Sequence, residues 1–257
     1  MHESSALPRR AALAVYTAAI ALALLLGLQP VLTDLYLPAL PHLARDLNAP
    51  MSATQLTMAA LILAFGLSQL VWGPVADRFG RRPVLLTSLV LLCVASVGAT
   101  LATHIAALVG WRAAQGAALA AAVVCARAMV RDLYEPHEGA RVMSIGLTGL
   151  GFLAVASPLV GGALANTAGW RGTLAAVALF CAAVLLFVWR ALPETVPRRD
   201  PKALDGAHLL RNARGVASNP TFRAWSLLVA STYGGLFTYL SASSFALIGV
   251  LGLSPAQ

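Results

Sequence analysis

Seven apolar runs, near residues 12–35, 51–73, 83–103, 105–128, 142–165, 171–190 and 224–247, divide this chain of 257 residues. Each is long enough to cross a bilayer, which takes about 20 residues at about 1.5 Å of helical rise per residue. Backbone polar groups inside lipid must be paired within their own segment, so runs of this length read as membrane helices. Only 11% of the residues are charged, against about a quarter in an ordinary soluble domain. The chain reads as an all-α integral membrane protein. Its net charge of +8 does not argue for nucleic acid, because the arginines stand singly or in pairs between apolar spans and not on one soluble face.

Charge sets the orientation. With the N-terminus in the cytoplasm, fifteen of the eighteen basic residues fall inside, only Arg45 and Arg171 fall outside, and Arg112 lies within a span. Arg9 and Arg10 precede an apolar run too long for the core of a cleaved signal. A seven-helix receptor would start outside, and a retinal protein needs a lysine in its last helix, whereas Lys202, the only lysine, sits in a loop. The links are short except one, rich in Pro, Arg and Asp, with a surface helix expected around 204–216. The expected organisation is a six-helix transmembrane bundle over 1–192, a cytoplasmic linker over 193–223, and a seventh helix with an outer loop over 224–257.

Four constellations stand out. Gly73, Asp77, Arg78, Gly80, Arg81 and Arg82 crowd between the second and third spans, where a hairpin meets the membrane surface. Gly73 and Pro74 are expected to end the incoming helix, Gly80 to permit the reversal, and Asp77 to cap the next helix start. Asp34 follows a full apolar span, and Pro38 and Pro41 put the natural helix stop beyond it. A charge in hydrocarbon costs about 2.5 to 3.5 kcal/mol on the lenient scales, so such a residue usually faces a cavity and works there. Arg112, Gln115 and Gly116 share one helix face at a depth matching Asp34, which makes an Asp34 to Arg112 interaction possible, directly or through water. Ser157, Pro158, Gly161 and Gly162 close a glycine-rich fifth span suited to tight packing and bending. Tyr36, and Tyr233 and Tyr239 of the polar seventh span, are candidates for lining a cavity.

Cys93, Cys125 and Cys181 lie inside spans and read as packing residues, and the five histidines make no metal spacing. No phosphate loop, dinucleotide fingerprint or nucleophile elbow is present, so no enzyme, cofactor or metal reading has residues behind it.

Gly73-Pro-Val-Ala-Asp77-Arg78-Phe-Gly80-Arg81-Arg82-Pro83 resembles the signature between the second and third helices of the major facilitator superfamily. Asp34-Leu-Tyr-Leu-Pro-Ala-Leu-Pro41, Arg112-Ala-Ala-Gln-Gly116, Arg127-Ala-Met-Val-Arg131-Asp132-Leu, Ser157-Pro-Leu-Val-Gly-Gly162, Gly169-Trp-Arg171 and Leu192-Pro-Glu-Thr195 resemble its Bcr/CflA drug-resistance branch. The resemblance implies the N-terminal six-helix half of that fold plus a seventh helix, in a bacterial inner membrane. It implies proton-driven export of small amphipathic drugs by alternating access, in a protein that is a monomer when complete, with no nucleic-acid partner. Asp34 would couple protons or substrate, Arg112 and Gln115 would belong to the proton-transfer helix, and Asp77, Arg78 and Arg81 would latch two halves together. Gly161, Gly162 and Pro158 would form the antiporter-type helix, although Ser157 stands where the commonest antiporter pattern has glycine. Relatives of this kind have about twelve spans, so a truncated product that does not transport alone is expected. The alternatives are a solute or metabolite transporter of the same superfamily and a non-transporting membrane fragment with an interaction role.

Overall fold

The computed structural model describes residues 9–196, 199–201 and 203–244, and all the regular structure among them is helical. The chain divides into two compact units, Met1–Ala203 and Leu204–Gln257.

The first unit opens with α1 (Arg9–Thr33), which stops earlier than the prolines alone indicate. The Asp34 N–H still donates to the Pro30 carbonyl at 2.7 Å, so Asp34 closes the last turn and does not continue the helix. A 3-10 turn (Leu37–Ala39) and the short α2 (Leu40–Asp46) follow, with Pro38 and Pro41 in their first turns, where a missing N–H costs nothing. α3 (Met51–Phe79) corrects a second expectation, because it runs straight through Gly73 and Pro74. One proline removes one intrahelical bond, and the turns on either side outweigh that loss. The hairpin is therefore a single residue, Gly80, with φ 107° and ψ 151°. Asp77 sits in the last turn of α3 and caps nothing.

α4 (Arg81–Thr100), α5 (Ile105–Leu133) and α6 (Pro136–Ala191) complete the unit. α6 is broken at Gly169, whose φ of 67° and ψ of −174° reverse the chain. Its two halves are the separate fifth and sixth spans expected from sequence. Among the described residues five helical stretches are long and apolar enough to cross a membrane, and the last of them, Pro136–Ala191, contains that break.

Close approaches fix the directions. Gly146 lies against Leu22, Gly149 against Ala23, and Gly161 against the Leu35 backbone, so the first half of α6 runs parallel to α1. α3 and α5 are also parallel, with Gly116 against the Leu61 carbonyl and the Trp72 Nε1–H donating to Ala117 O at 2.8 Å. A Cβ at Gly116 or Gly161 would collide with neighbouring backbone, which cannot yield, so both glycines are needed for the spacing. The second half of α6 returns antiparallel to α4: Arg171 donates to Ala102 O at 3.1 Å near one end, and Arg82 to Trp189 O at 3.0 Å near the other.

Two buried clusters result. The larger fills the bundle between α1 and α3 to α6. The smaller gathers Tyr36, Ala39, Leu43, Leu108, Trp170 and their neighbours at the end opposite the hairpin. There the Trp170 Nε1–H donates to Asp46 Oδ2 at 3.0 Å, and the Arg171 guanidinium stacks on the Trp170 ring at 4.1 Å.

The second unit holds α7 (Gly206–Ser218) and α8 (Pro220–Ser244). Asp205 caps α7 by accepting the Ala207 N–H at 3.2 Å, and Asn219 caps α8 by accepting the N–H groups of Thr221 and Phe222 at 2.9 and 3.3 Å. The seventh apolar run and the outer loop continue past Ser244, outside the described residues.

Candidate functional site

Arg112 occupies the middle of the first unit, fully buried, at a depth where a charge is costly. Neutral groups surround it. One terminal nitrogen donates to Gln115 Oε1 at 3.0 Å; the other reaches Leu32 O at 2.9 Å and the Met58 sulfur at 3.2 Å. The Tyr36 ring lies 4.3 Å from the guanidinium carbon. Gln115 in turn donates to Ser96 Oγ at 2.8 Å, and Ser96 donates to Leu92 O at 2.7 Å. The face of Arg, Gln and Gly read from sequence thus joins α5 to α1, α3 and α4 at one point.

Two features of this centre differ from expectation. Tyr36 does not line an open cavity: it is fully buried, with its ring on Arg112 and its hydroxyl 3.0 Å from Thr57 Oγ1. Asp34 makes no ion pair with Arg112 among the described residues. It is half-buried and accepts the Thr33 hydroxyl at 2.8 Å, while Arg112 grips the backbone two residues earlier, at Leu32. Two residues amount to about 200° of helical turn, so Asp34 and Leu32 lie on different sides of the helix end. The Nε–H of Arg112 has no hydrogen-bond partner among the described residues. A buried guanidinium with an unused donor and no carboxylate can accept an anionic partner without first releasing another.

Beside this centre an open apolar cavity of about 390 Å³ lies between α1 and both halves of α6, lined by Val31, Leu35, Leu153, Ser157, Phe180 and other apolar residues. Ser157 is buried against it and Gly161 is packed on Leu35 just past α1, whereas Pro158 is exposed and a Cβ added at Gly162 would meet open space. In the second unit Tyr233 is exposed, and Tyr239 lies on α8 beyond the described side chains.

The hairpin end is a charge network. Arg81 pairs with Asp77 at 2.6 Å and with Asp132 of α5 at 3.2 Å. Arg82 donates to Leu192 O at 2.8 Å and to Trp189 O, so it caps the end of α6. Arg78 donates to Pro201 O, and Asp77 O accepts the Asp200 N–H at 3.1 Å. Glu194 closes the network: one carboxylate oxygen accepts the N–H groups of Arg81, Arg82, Thr195 and Val196 at 3.0, 3.4, 2.9 and 3.2 Å. Desolvation pushes its acidity the other way, but these four donors, two at the start of α4 and two from the residues that follow Glu194, hold it below the usual carboxylate range. A Cβ at Gly80 would come within 2.5 Å of the other Glu194 oxygen. Sequence reasoning gave Glu194 and Asp132 no role. Both stand in family-like motifs, but their shared partner Arg81 is 113 positions from Glu194 and 51 from Asp132, and no local spacing reveals it.

Known proteins share this architecture. Multidrug resistance protein D of Escherichia coli (strain K12) is 32% identical over 233 residues, covering 91% of this chain and 58% of that protein. A bicyclomycin resistance protein homolog of Haemophilus influenzae is 28% identical over 240 residues, covering 92% and 59%. The chain thus spans less than two thirds of the length of these relatives. Among solved structures, the human organic anion transporter MFSD10 superposes with a TM-score of 0.71 at 23% identity, covering 95% of this chain and 67% of that one, which speaks for the fold alone. The family profile described as Major Facilitator Superfamily matches residues 22–257, and with the fold and the hairpin it establishes that the chain belongs to the Major Facilitator Superfamily.

Proposed function

We propose that this chain supplies one half of a proton-coupled exporter of small amphipathic drugs that works by alternating access. The observation that carries the reading is Arg112, a wholly buried cation whose partners among the described residues are neutral and leave its Nε–H unused, held on Leu32 O two residues before a half-buried Asp34. A fixed positive pole beside an acid that alternately carries and releases a proton is a two-state element. With Asp34 charged, its attraction to Arg112 favours one arrangement of the end of α1. With Asp34 neutral, the hydrogen bond from Thr33 is sufficient and the helix end is free to move.

The relatives support the substrate class, being named for resistance to drugs and to bicyclomycin. The apolar cavity beside Ser157 suits the lipophilic part of such a compound. Parallel packing of α1 with the first half of α6, held by Gly161 on the Leu35 backbone, would pass movement of α1 directly to α6. At the hairpin end, Asp77, Arg78, Arg81 and Arg82 are engaged within this half, so they would present a rigid surface to a second half rather than a set of loose charges. In this reading 193–223 is the cytoplasmic linker, the N-terminus is cytoplasmic, and the membrane is the bacterial inner membrane.

Asp34→Asn tests the coupling. In cells expressing the gene, it should abolish drug efflux driven by a pH gradient while membrane insertion stays at the parental level. Unchanged drug accumulation in that variant removes Asp34 from the coupling role. Efflux of a metabolite with no effect on drugs would replace the substrate class while leaving the mechanism.

A further inference from the structure

The second unit carries a surface that the transport reading does not use. On α7, with 3.6 residues per turn, Leu209, Leu210, Ala213 and Val216 fall on about a third of the circumference. Arg211 and Arg214 lie outside that arc, and no acidic residue occurs between Gly206 and Ser218. Leu210 is 52% exposed and Val216 49%, so the apolar face is open. Aliphatic side chains on a short, otherwise polar helix are not left facing water without a partner.

The depth of the helix follows from what comes after it. Asn219 breaks the chain between α7 and α8, so α7 is free to leave the axis of α8. The first two turns of α8 expose Phe222 and Trp225, and the next turn exposes Leu227, Leu228 and Val229. A change from arginine through aromatic rings to aliphatic side chains exposed all round marks the level at which a helix enters a bilayer. The junction with α7 lies six residues before Trp225, which is about 9 Å of helical rise.

We propose that α7 lies in the plane of the bilayer surface, its apolar face at the boundary of headgroups and acyl chains, with Arg211 and Arg214 on the phosphates of anionic phospholipids. Anionic lipid fits better than zwitterionic lipid because the helix offers two guanidinium groups, which bind phosphate in a bidentate way, and no carboxylate to repel it. Long arginine side chains reach sideways to that level while the aliphatic face stays buried. The inference goes beyond the transport reading. It uses neither Asp34 nor Arg112 and needs only that α8 cross the membrane.

The test places an environment-sensitive fluorophore on α7 in the purified chain, reconstituted in vesicles of phosphatidylcholine with about 30 mol% phosphatidylglycerol. Ala213→Cys carries it on the apolar face and Gly215→Cys on the opposite face, with the identically treated parent giving the background from the native cysteines. Nitroxide-labelled lipid should quench the label at 213 about threefold more than at 215, and aqueous iodide should do the reverse. The lipid quenching at 213 should fall by about half in pure phosphatidylcholine, and equally in a double Arg211→Gln, Arg214→Gln variant. Equal iodide quenching at both positions would make α7 a solvated linker and overturn the proposal. Shielding of 213 from both quenchers, which means protein covers the face, would overturn it too, as would lipid quenching indifferent to charge.

Discussion

Arg81 and Arg112 are both buried arginines in one bundle, and they are satisfied in opposite ways. Arg81 sits at the hairpin end between two carboxylates, Asp77 at 2.6 Å and Asp132 at 3.2 Å. Arg112 sits at membrane depth among a carbonyl, an amide, a thioether and a phenol ring, with no carboxylate and one idle donor among the described residues. A paired charge is a tie, because separating it leaves two unpaired ions. An unpaired charge is an instrument, because any anion that approaches finds it available. The contrast sets a charge tied by carboxylates at the hairpin against one held by neutral groups in the middle of the bundle.

The largest expected effect breaks the contrast at its active end. Arg112→Met should reduce efflux to background, a loss of at least about 100-fold, or about 2.7 kcal/mol of transition-state stabilisation. Its melting temperature should nonetheless stay near that of the parent. Removing the buried charge relieves a desolvation cost, which offsets the about 1 to 3 kcal/mol lost by leaving Leu32 O and Gln115 without their donor. Arg112→Lys sharpens the point, since lysine keeps a charge but loses the planar fork and can shed its proton when buried. Equal collapse of stability and efflux in both variants would make Arg112 a structural residue like Arg81.

Arg81→Met is the opposite experiment. It strands Asp77 and Asp132, and because Asp77 is half exposed the cost should be nearer about 2 kcal/mol than the full price of a buried pair. Thermal melting of the purified chain should show it, and a double variant with Asp132→Asn should recover part of the loss. A melting curve unchanged by Arg81→Met would show that the tie contributes nothing and would erase the distinction.

These two centres were unequally legible in the sequence. Apolar runs of about 20 residues read as membrane helices, so the order of the long helices in the first unit followed from length and charge alone, while the short α2 did not. The face shared by Arg112, Gln115 and Gly116 also followed, because helical periodicity is local. What stayed hidden depended on contacts across the chain or on the exact end of a helix. The end of α1 at Thr33 is such a feature, because local propensity does not resolve a turn. Gly73 and Pro74 looked like a stop because each weakens a helix by itself, but α3 packs along α5, with Trp72 donating to Ala117 O beside them, a contact that no local pattern displays. Glu194 looked like a residue in a loop, and only the fold carries it to the start of α4.

Tyr36 probes how the unpaired charge is kept in place. Tyr36→Leu removes both the ring over Arg112 and the hydroxyl on Thr57, and should lower stability by about 2 kcal/mol or more, the scale of a desolvated cation and ring contact. Tyr36→Phe keeps the ring and should cost only about 1 kcal/mol, with efflux retained. If Phe behaves like Leu in efflux, the hydroxyl and not the ring holds the guanidinium.

The smallest effect sharpens the paired end of the comparison. Glu194→Gln keeps the shape of the cap on α4 but removes its charge, and for an exposed group at a helix start the loss should be about 0.3 to 1 kcal/mol. The sign of the pH dependence follows from the acid being stronger in the folded chain than its ordinary value of 4.5. Such a group adds stability that is fully present above that value and disappears as the pH falls through the lower, folded value. Melting of the parent should therefore begin to drop below about pH 4.5 by more than that of Glu194→Gln, the two curves converging in acid. Equal slopes in the two proteins would mean that the four backbone donors are satisfied as well by a neutral amide, and that geometry rather than charge makes Glu194 the cap.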